Sequence, residues 1–456
     1  MGEFGEWLSW LDRQSPEWRE EQFTLPNGGY LQPLAACGFP SGWHALLTPS
    51  VVGAGEWKEL DRDLGNVIDA IDHAKQHQER ATGLGVSAEL RFVLDFAPAQ
   101  DWAAITRADL VYGESGFRLC ELNAGPNVGG GPIADLTGRS LETSPRFERV
   151  RDAEGLGRSE IMPALAANIR ERFGADVTEL AVGYWRTAQF NMPPHFMRAF
   201  CRQLTEAGLP TRVVALEDLS VSPAGVFEGD RAVRHLYRFF WETDGRDDSL
   251  VERLRALRGA EAAGLVVVVG GFTGNLEHGK LAIAWASSAA RDGSLPPELA
   301  ESVNRLVPWT RVIEAVGMTD AAGVPIPDVT EFLLSRRADL VIKSAFGFDS
   351  ADVVVGVDTA SDDWSSAVDR ALAADSPWIV QAYVPTAVTP AWVSGTEGVR
   401  RATGRSMFGA FTVDRKLVGM IERYSADPDA SCVSVPRGAA QCAVYVGAEG
   451  HRLVRA

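Results

Sequence analysis

Three potential oxygen ligands for a metal ion lie in two short segments, Arg107-Ala-Asp109 and Glu121-Leu-Asn123. Two carboxylates and an amide oxygen suit Mg²⁺, a hard ion that often shares its coordination shell with phosphate oxygens. Glu121 and Asn123 are two positions apart, so on a strand both side chains point to the same face. The pattern predicts a magnesium site that acts on a phosphate-bearing ligand. The alternative is a hairpin whose acidic residues simply face solvent.

A hairpin is required to place Asp109 beside the other two ligands. The polar segment Gly113-Glu-Ser-Gly116 joins two apolar runs and is typical of a turn between paired strands. We therefore expect strands over 108–112 and 117–122. Arg107 precedes Asp109 by two positions and would share its strand face.

A second group of candidates lies in the last third of the chain. The apolar strand that ends in Lys343 leads into a loop of small and polar residues that includes Ser344 and Gly347. Such a lysine can contact phosphate oxygens while the N–H groups of the loop cover them. A later strand runs into a proline-broken linker and can hold an adenine edge through its backbone; it contains Gln381, Ala382, Tyr383 and Val384. Taken separately, a solvent-facing lysine and an ordinary core strand are the favoured explanations of these segments.

Changes in the spacing of apolar residues along the sequence indicate how the chain is organised. Residues 1–55 are rich in Trp, Pro and Gly and suggest irregular structure, whereas 56–85 has helical spacing. A β-α-β pattern over 179–216 predicts a parallel sheet with helices on its faces, and the pattern from residue 328 onward predicts an α+β arrangement. The expected fold class is therefore α/β and α+β. The expected domains are 1–175, 176–305 and 306–456.

Composition excludes several classes of function. The net charge of −17 argues against a nucleic-acid-binding protein, which needs a basic surface. The five cysteines form no C-x-x-C pair and are odd in number, which favours a reduced, cytoplasmic protein. No secretory signal and no membrane-spanning segment are evident. A Walker A motif is absent too, and Gly129-Gly130-Gly131 does not form a G-x-G-x-x-G dinucleotide motif.

Together these segments resemble an ATP-grasp nucleotide-binding module. The resemblance rests on the lysine strand, the small-residue loop, the Gln-x-Tyr-Val strand and the paired strands of 406–423. The usual ATP-grasp order places E-x-N after these elements, whereas Glu121-Leu-Asn123 precedes them. This inversion is similar to the circularly permuted ATP-grasp of the glutathionylspermidine synthetase-like family, whose signature reads roughly R-x-D, a turn and E-[FYL]-N-A-D-T-P. This chain has Gly125-Pro126 in place of D-T-P.

The resemblance implies a permuted ATP-grasp fold with a pre-ATP-grasp parallel-sheet domain. It implies a ligase that uses ATP and Mg²⁺ to join a small carboxylic acid to an amine, through an acyl-phosphate, with release of ADP and phosphate. The implied roles are metal binding by Asp109, Glu121 and Asn123, a contact of Arg107 with the γ-phosphate, and nucleotide binding by Lys343, Ser344, Gly347 and Gln381 to Val384. Arg311 is the candidate for an additional basic residue of the family. Arg423 would reach phosphate or pair with Glu422 or Asp427.

Two other classes of function remain open at this point. A catalytically inactive protein with the same fold would bind nucleotide or a partner without turnover. A cysteine hydrolase at Cys120 is less favoured, because a buried structural cysteine explains that residue more simply. His73 and His77 have helical spacing but lack the Glu of H-E-x-x-H, so a solvated helix face is the better interpretation.

Overall fold

The computed structural model describes residues 4–24, 29–78, 105–174, 177–186, 194–240, 248–270, 280–345, 352–449 and 453–455. Gly347 and most of the predicted small-residue loop lie outside the described residues. The helices are α1 (Phe4–Arg13), α2 (Pro16–Phe23), α3 (Gln32–Ala35), α4 (Ala54–Gln78), α5 (Gly131–Glu142), α6 (Pro145–Ala153), α7 (Ile161–Phe173), α8 (Pro194–Glu206), α9 (Asp248–Ala262), α10 (Lys280–Asp292), α11 (Pro297–Leu306), α12 (Val329–Ser335) and α13 (Ser361–Ala373). None of these helices combines the length and the apolar character that crossing a bilayer requires.

The N-terminal region is helical, so the expectation of irregular structure over 1–55 is wrong. Helix α2 begins with Pro16 after Ser15, whose Oγ accepts a hydrogen bond from the backbone N–H of Trp18. Trp7 in α1 is fully buried, and its indole N–H donates to the carbonyl of Leu47 at 2.9 Å. The aromatic residues of this region therefore form a packed cluster, which the Pro and Gly residues obscured in the sequence.

The largest sheet has seven strands and joins the two ends of the chain. Its order is β16 (Thr389–Gly395), β1 (Ala45–Leu46), β19 (Ala440–Ala443), β18 (Lys416–Ser425), β17 (Gly398–Val413), β3 (Ile105–Gly113) and β4 (Gly116–Ala124). One face packs on α4 and α10 through residues such as Leu110, Phe408 and Ile68. On the opposite face Phe411 and Ile421 pack with Ile161 of α7. That second face also carries the polar residues of β3 and β4.

The second sheet is entirely parallel. It contains β11 (Val267–Val269), β10 (His235–Arg238), β5 (Leu180–Tyr184) and β6 (Thr211–Ala215) in that order. Helix α8 connects β5 to β6. The predicted β-α-β unit is thereby confirmed.

The third sheet is antiparallel and carries Lys343. It contains β12 (Thr310–Val312), β15 (Trp378–Ala382), β13 (Leu340–Ser344) and β14 (Val353–Val355). Two short sheets complete the described strands: β20 (Tyr445–Gly447), β2 (Ser50–Gly53) and β21 (Val454–Arg455) form one, and β7 (Leu219–Ser222), β8 (Gly225–Glu228) and β9 (Arg231–Ala232) form the other. Parallel and antiparallel sheets thus occur together, and the predicted α/β and α+β fold class is confirmed.

Candidate functional site

The predicted metal-binding hairpin is formed by β3 and β4. Gly113 pairs with Gly116 at the turn, and Asp109 pairs with Glu121. A register shift after Asp109 leaves Cys120 as the bulged residue, which keeps Glu121 and Asn123 on the face of Asp109. The sequence spacing and one bulge therefore bring all three candidate oxygen ligands to a single surface of the large sheet.

Asp109 lies at the centre of a dense group of charges. Its carboxylate accepts two hydrogen bonds from Arg107, at 2.7 and 3.0 Å, and two from Arg423, at 3.0 and 3.3 Å. The side-chain amide of Asn123 donates a further bond to the same carboxylate at 3.2 Å. Burial raises the pKa of Asp109, but Arg107 and Arg423 outweigh burial and hold that pKa below its ordinary value. Asp109 is therefore an ionised, enclosed carboxylate held between two guanidinium groups.

Arg107 crosses the sheet over Gly409 and reaches the segment that follows β4. Its Nη1 donates to the carbonyl of Gly129 at 2.7 Å, and its aliphatic stem crosses Gly409 of β17. A Cβ atom at Gly409 would lie 2.9 Å from Cδ of Arg107, closer than real Cβ contacts allow. The missing side chain at Gly409 thus sets the path of Arg107 across the sheet.

Arg423 pairs with Asp109, and not with Glu422 or Asp427. It pairs with Asp109 on the far side of β17, and Glu422 instead accepts a hydrogen bond from Ser406 at 2.6 Å. Adjacent residues of a strand point to opposite faces, which separates Arg423 from Glu422. Arg423 therefore belongs to the same charged surface as Arg107 and Asp109.

Lys343 reaches this surface from the third sheet. Its Nζ donates to Oε1 of Gln381 at 2.7 Å and to the carbonyl of Cys120 at 3.1 Å. The amide of Gln381 in turn donates to Thr310 at 3.1 Å and to the carbonyl of Leu119 at 3.3 Å. Burial lowers the pKa of the Lys343 ammonium. Lys343 and Gln381 thus dock the third sheet onto strand β4, beside Glu121.

Lys280 is a site residue that the sequence did not reveal. It is the first residue of α10, and its Nζ lies 3.1 Å from Oε1 of Glu121. Its side chain is only 4% exposed, and its backbone N–H donates to the carbonyl of Ala345 at 3.2 Å. The single signal in the sequence is a lysine at the start of an otherwise apolar segment, which is too common to identify a site.

Arg311 does not join this group. Its guanidinium donates to the carbonyl of Thr310 at 2.8 Å and contacts Ser287 and Thr319. Burial lowers its pKa to about 10. Arg311 and Gln381 lie on opposite faces of the third sheet, because Gln381 pairs with Thr310, the neighbour of Arg311. The structure thus places Arg311 on the face of the third sheet opposite to that of Gln381.

The segment from Gln381 to Val384, predicted to hold an adenine edge, already makes backbone hydrogen bonds within the protein. The backbone N–H of Ala382 donates to the carbonyl of Trp309, and that of Tyr383 donates to the carbonyl of Asp339, both at 2.8 Å. Val384 follows them and packs close to Gly113 at the turn of the β3–β4 hairpin. The backbone N–H groups of Ala382 and Tyr383 are thus both engaged within the protein.

Together these side chains form the site cluster, which comprises Arg107, Asp109, Glu121, Asn123, Lys280, Lys343, Gln381 and Arg423. Its four cations and two carboxylates carry a formal net charge of +2. Within the described ranges, no three His, Cys, Asp or Glu side chains converge as a metal-binding group. The donors that suit Mg²⁺ are thus two carboxylates and one amide, a set that needs oxygen atoms from a ligand to complete an octahedral shell.

Comparison with known proteins identifies the fold. No protein-family model matches the sequence, and no curated protein matches it. A glutathione synthetase-like effector from Globodera pallida has a TM-score of 0.55 at 11% identity, covering 96% of this chain and 98% of that protein. A putative γ-glutamylcysteine synthetase from Methylobacillus flagellatus has a TM-score of 0.44 at 11% identity. The match covers 85% of this chain and 88% of the synthetase chain. A RimK-domain ATP-grasp protein from Sphaerobacter thermophilus has a TM-score of 0.26 at 16% identity. That match covers 59% of this chain and 89% of the RimK-domain chain. The first of these shares its overall fold with this chain.

Proposed function

We propose that this protein is an ATP-dependent carboxylate–amine ligase that forms an amide or peptide bond on a circularly permuted ATP-grasp scaffold. The observation that carries the proposal is the contact between Lys343 and strand β4, with Nζ at 3.1 Å from the carbonyl of Cys120. It brings the lysine of one sheet against the strand that holds Glu121 and Asn123 of another. Antiparallel pairing of Asp109 with Gly409 supports the permuted order, since a strand from the first third of the chain completes a sheet of the last third.

The residues of the site cluster fit ATP and Mg²⁺. Asp109, Glu121 and Asn123 would supply oxygen ligands to the metal, which would polarise and neutralise the phosphate chain. Lys280 and Lys343 would contact phosphate oxygens as point charges, whereas the planar guanidinium groups of Arg107 and Arg423 suit bidentate contacts. A net charge of +2 on the cluster complements the magnesium complex of ATP, which carries about −2 near neutral pH. Tyr383 and Val384 would hold the base.

The carboxyl ends of the parallel strands provide a place for the acid and the amine. In open parallel sheets, ligands bind outside these ends. The hydroxyl of Tyr237 in β10 donates to the carbonyl of Pro126 at 2.7 Å, so this edge faces the segment that connects Asn123 to α5. Substrates bound at this edge would lie near the segment whose Gly129 carbonyl contacts Arg107.

The chemistry follows from the charges that this site can neutralise. A carboxylate oxygen of the acid attacks the γ-phosphorus of ATP, and the bond to the bridging oxygen breaks to release ADP. The amine then attacks the acyl carbon, phosphate leaves with the C–O bonding pair, and the amine loses a proton. Phosphoryl transfer depends mainly on positioning and on charge neutralisation. In this proposal both tasks would fall to the four cations of the site cluster, Arg107, Arg423, Lys280 and Lys343.

The three regions 1–175, 176–305 and 306–456 correspond in this proposal to the metal-binding part, the pre-ATP-grasp domain and the nucleotide-binding subdomains. The parallel sheet lies within the second region and the Lys343 sheet within the third. Strands of the large sheet come from the first and third regions together, so these two would fold as one unit. All five cysteines are free thiols, which supports a cytoplasmic location.

A binding measurement followed by a turnover assay tests this proposal. Saturation with MgATP at about 100 times its dissociation constant should add about 2.7 kcal/mol to the free energy of unfolding of the wild type. Lys343→Met should lose most of this gain, and Lys58→Met, which changes an exposed lysine, should keep it. Release of ADP that requires both an acid and an amine would then identify the ligase. Binding without ADP release over a broad panel of acids and amines would support the inactive alternative, and absence of MgATP binding would refute the proposal.

The cysteine hydrolase alternative receives no support. Cys120 is the bulged residue of β4, and its carbonyl oxygen accepts a hydrogen bond from Lys343. Burial raises the pKa of its thiol, with contributions from Asp109 and Glu121 in the same direction. The reactive thiolate is therefore disfavoured at this position.

A further inference from the structure

Each candidate metal carboxylate is paired with cationic side chains. Asp109 is held by two guanidinium groups, and Glu121 lies 3.1 Å from the ammonium of Lys280. The side chains of Asp109, Lys280 and Arg423 are all less than a tenth exposed, so solvent screens these pairs weakly. Both oxygens of Asp109 accept hydrogen bonds from guanidinium groups, and Lys280 competes with a metal ion for Glu121.

The same cations are the groups that would contact phosphates. A divalent cation that approaches alone meets four positive side chains and competes with them for the carboxylates. A nucleotide supplies the negative charges to which these side chains can turn. The ion pairs Arg423–Asp109 and Lys280–Glu121 therefore link the metal ligands to the phosphate ligands.

We propose that metal and nucleotide enter this site by an exchange of ion pairs, in which Lys280 and Arg423 move from the carboxylates to the phosphates as the metal takes the carboxylates. This inference rests on the proposed function of the site. Because binding couplings are reciprocal, each ligand raises the affinity of the other. The ion pairs restrain the metal carboxylates until nucleotide arrives, so metal alone binds poorly.

The exchange predicts opposite effects of removing one cation. Without its ammonium partner, Glu121 is an uncompensated carboxylate. Lys280→Met should therefore bind Mn²⁺, a probe that prefers the same oxygen ligands as Mg²⁺, about tenfold more tightly than the wild type when no nucleotide is present. The same substitution should weaken binding of metal-free AMP-PNP, measured in EDTA, by about tenfold. If Lys280 had a purely structural role, its substitution would not raise the affinity of the protein for a metal ion.

The experiment measures Mn²⁺ binding by electron paramagnetic resonance and AMP-PNP binding by calorimetry. The proteins are the wild type, Lys280→Met, Arg423→Met and the exposed control Lys58→Met. Lys280→Gln replaces Lys280→Met if circular dichroism shows that the latter is unfolded. Opposite changes in the two affinities at Lys280, with no change in the control, support the exchange.

Two different results would refute the ion-pair exchange and the proposed function separately. If neither Lys280→Met nor Arg423→Met gains affinity for Mn²⁺ alone, the exchange is wrong even when the wild type binds magnesium and AMP-PNP together. If the wild type binds no AMP-PNP with or without Mg²⁺, the proposed function fails. The Mn²⁺ measurement needs no nucleotide and therefore distinguishes these cases.

Discussion

Asp109→Asn is the substitution that most directly tests the electrostatics of the site. The carboxylate of Asp109 receives four hydrogen bonds from Arg107 and Arg423 in a largely buried position. Replacing it by a neutral amide leaves two guanidinium groups next to each other without a counter-charge. Breaking a buried pair on one side costs about 3–5 kcal/mol, and we expect a loss of this size in the free energy of unfolding.

Urea unfolding followed by tryptophan fluorescence measures this loss. The control is Asp152→Asn, which removes one carboxylate from the exposed pair with Arg151 and should cost less than about 1 kcal/mol. The pKa of Asp109 lies below its ordinary value in the folded protein, so its contribution is present above the unfolded-state pKa and is lost as the pH falls through the folded pKa. The difference between wild type and variant should therefore shrink in acid. A cost at Asp109 within about 1 kcal/mol of zero near pH 7 would refute the picture of an ionised, buried carboxylate.

Three further predictions concern the surroundings of the site and the fold. Gly409→Ala should displace Arg107 and weaken MgATP binding about tenfold, whereas unchanged affinity in calorimetry would show that the path of Arg107 does not matter. Gly356→Ala should destabilise the protein by more than about 2 kcal/mol in urea, because its Cβ would lie 1.9 Å from the carbonyl oxygen of Arg337; wild-type stability would contradict this packing. Burial raises the pKa of Asp135 to about 6, so its stabilising contribution is complete below the unfolded-state value of 3.8 and is lost as the pH rises through 6. The loss should be about 2–3 kcal/mol between pH 4 and 7 and absent in Asp135→Asn, and equal pH profiles for the two proteins would refute it.

The local parts of the site could be predicted from the sequence. Alternation along a strand places Arg107 and Asp109 on one face of β3, and Glu121 and Asn123 on one face of β4. The turn from Gly113 to Gly116 pairs these strands. These relations depend on backbone geometry over a few residues, and they are therefore encoded in spacing and residue type.

The N-terminal helices show where such local rules failed. Pro and Gly suggested irregular structure, but Pro16 begins a helix after its cap Ser15. The position of Trp7 in the core, with its indole bonded to Leu47, depends on packing against a distant segment. Composition describes the average of such a region and does not show which residues fall on one helical face.

The partners of the charged residues were decided by the tertiary structure. Sequence spacing by itself determined that Glu121 and Asn123 share one face of their strand, and that Lys343 lies near the end of a buried strand. The bulge at Cys120 then brings Glu121 and Asn123 to the face that carries Asp109. Only the order of strands in the large sheet brings Arg423 to Asp109, and only the packing of α10 brings Lys280 to Glu121. A period of two fixes the face of a strand on which a side chain lies, but it carries no information on which distant strand or helix will lie against that face.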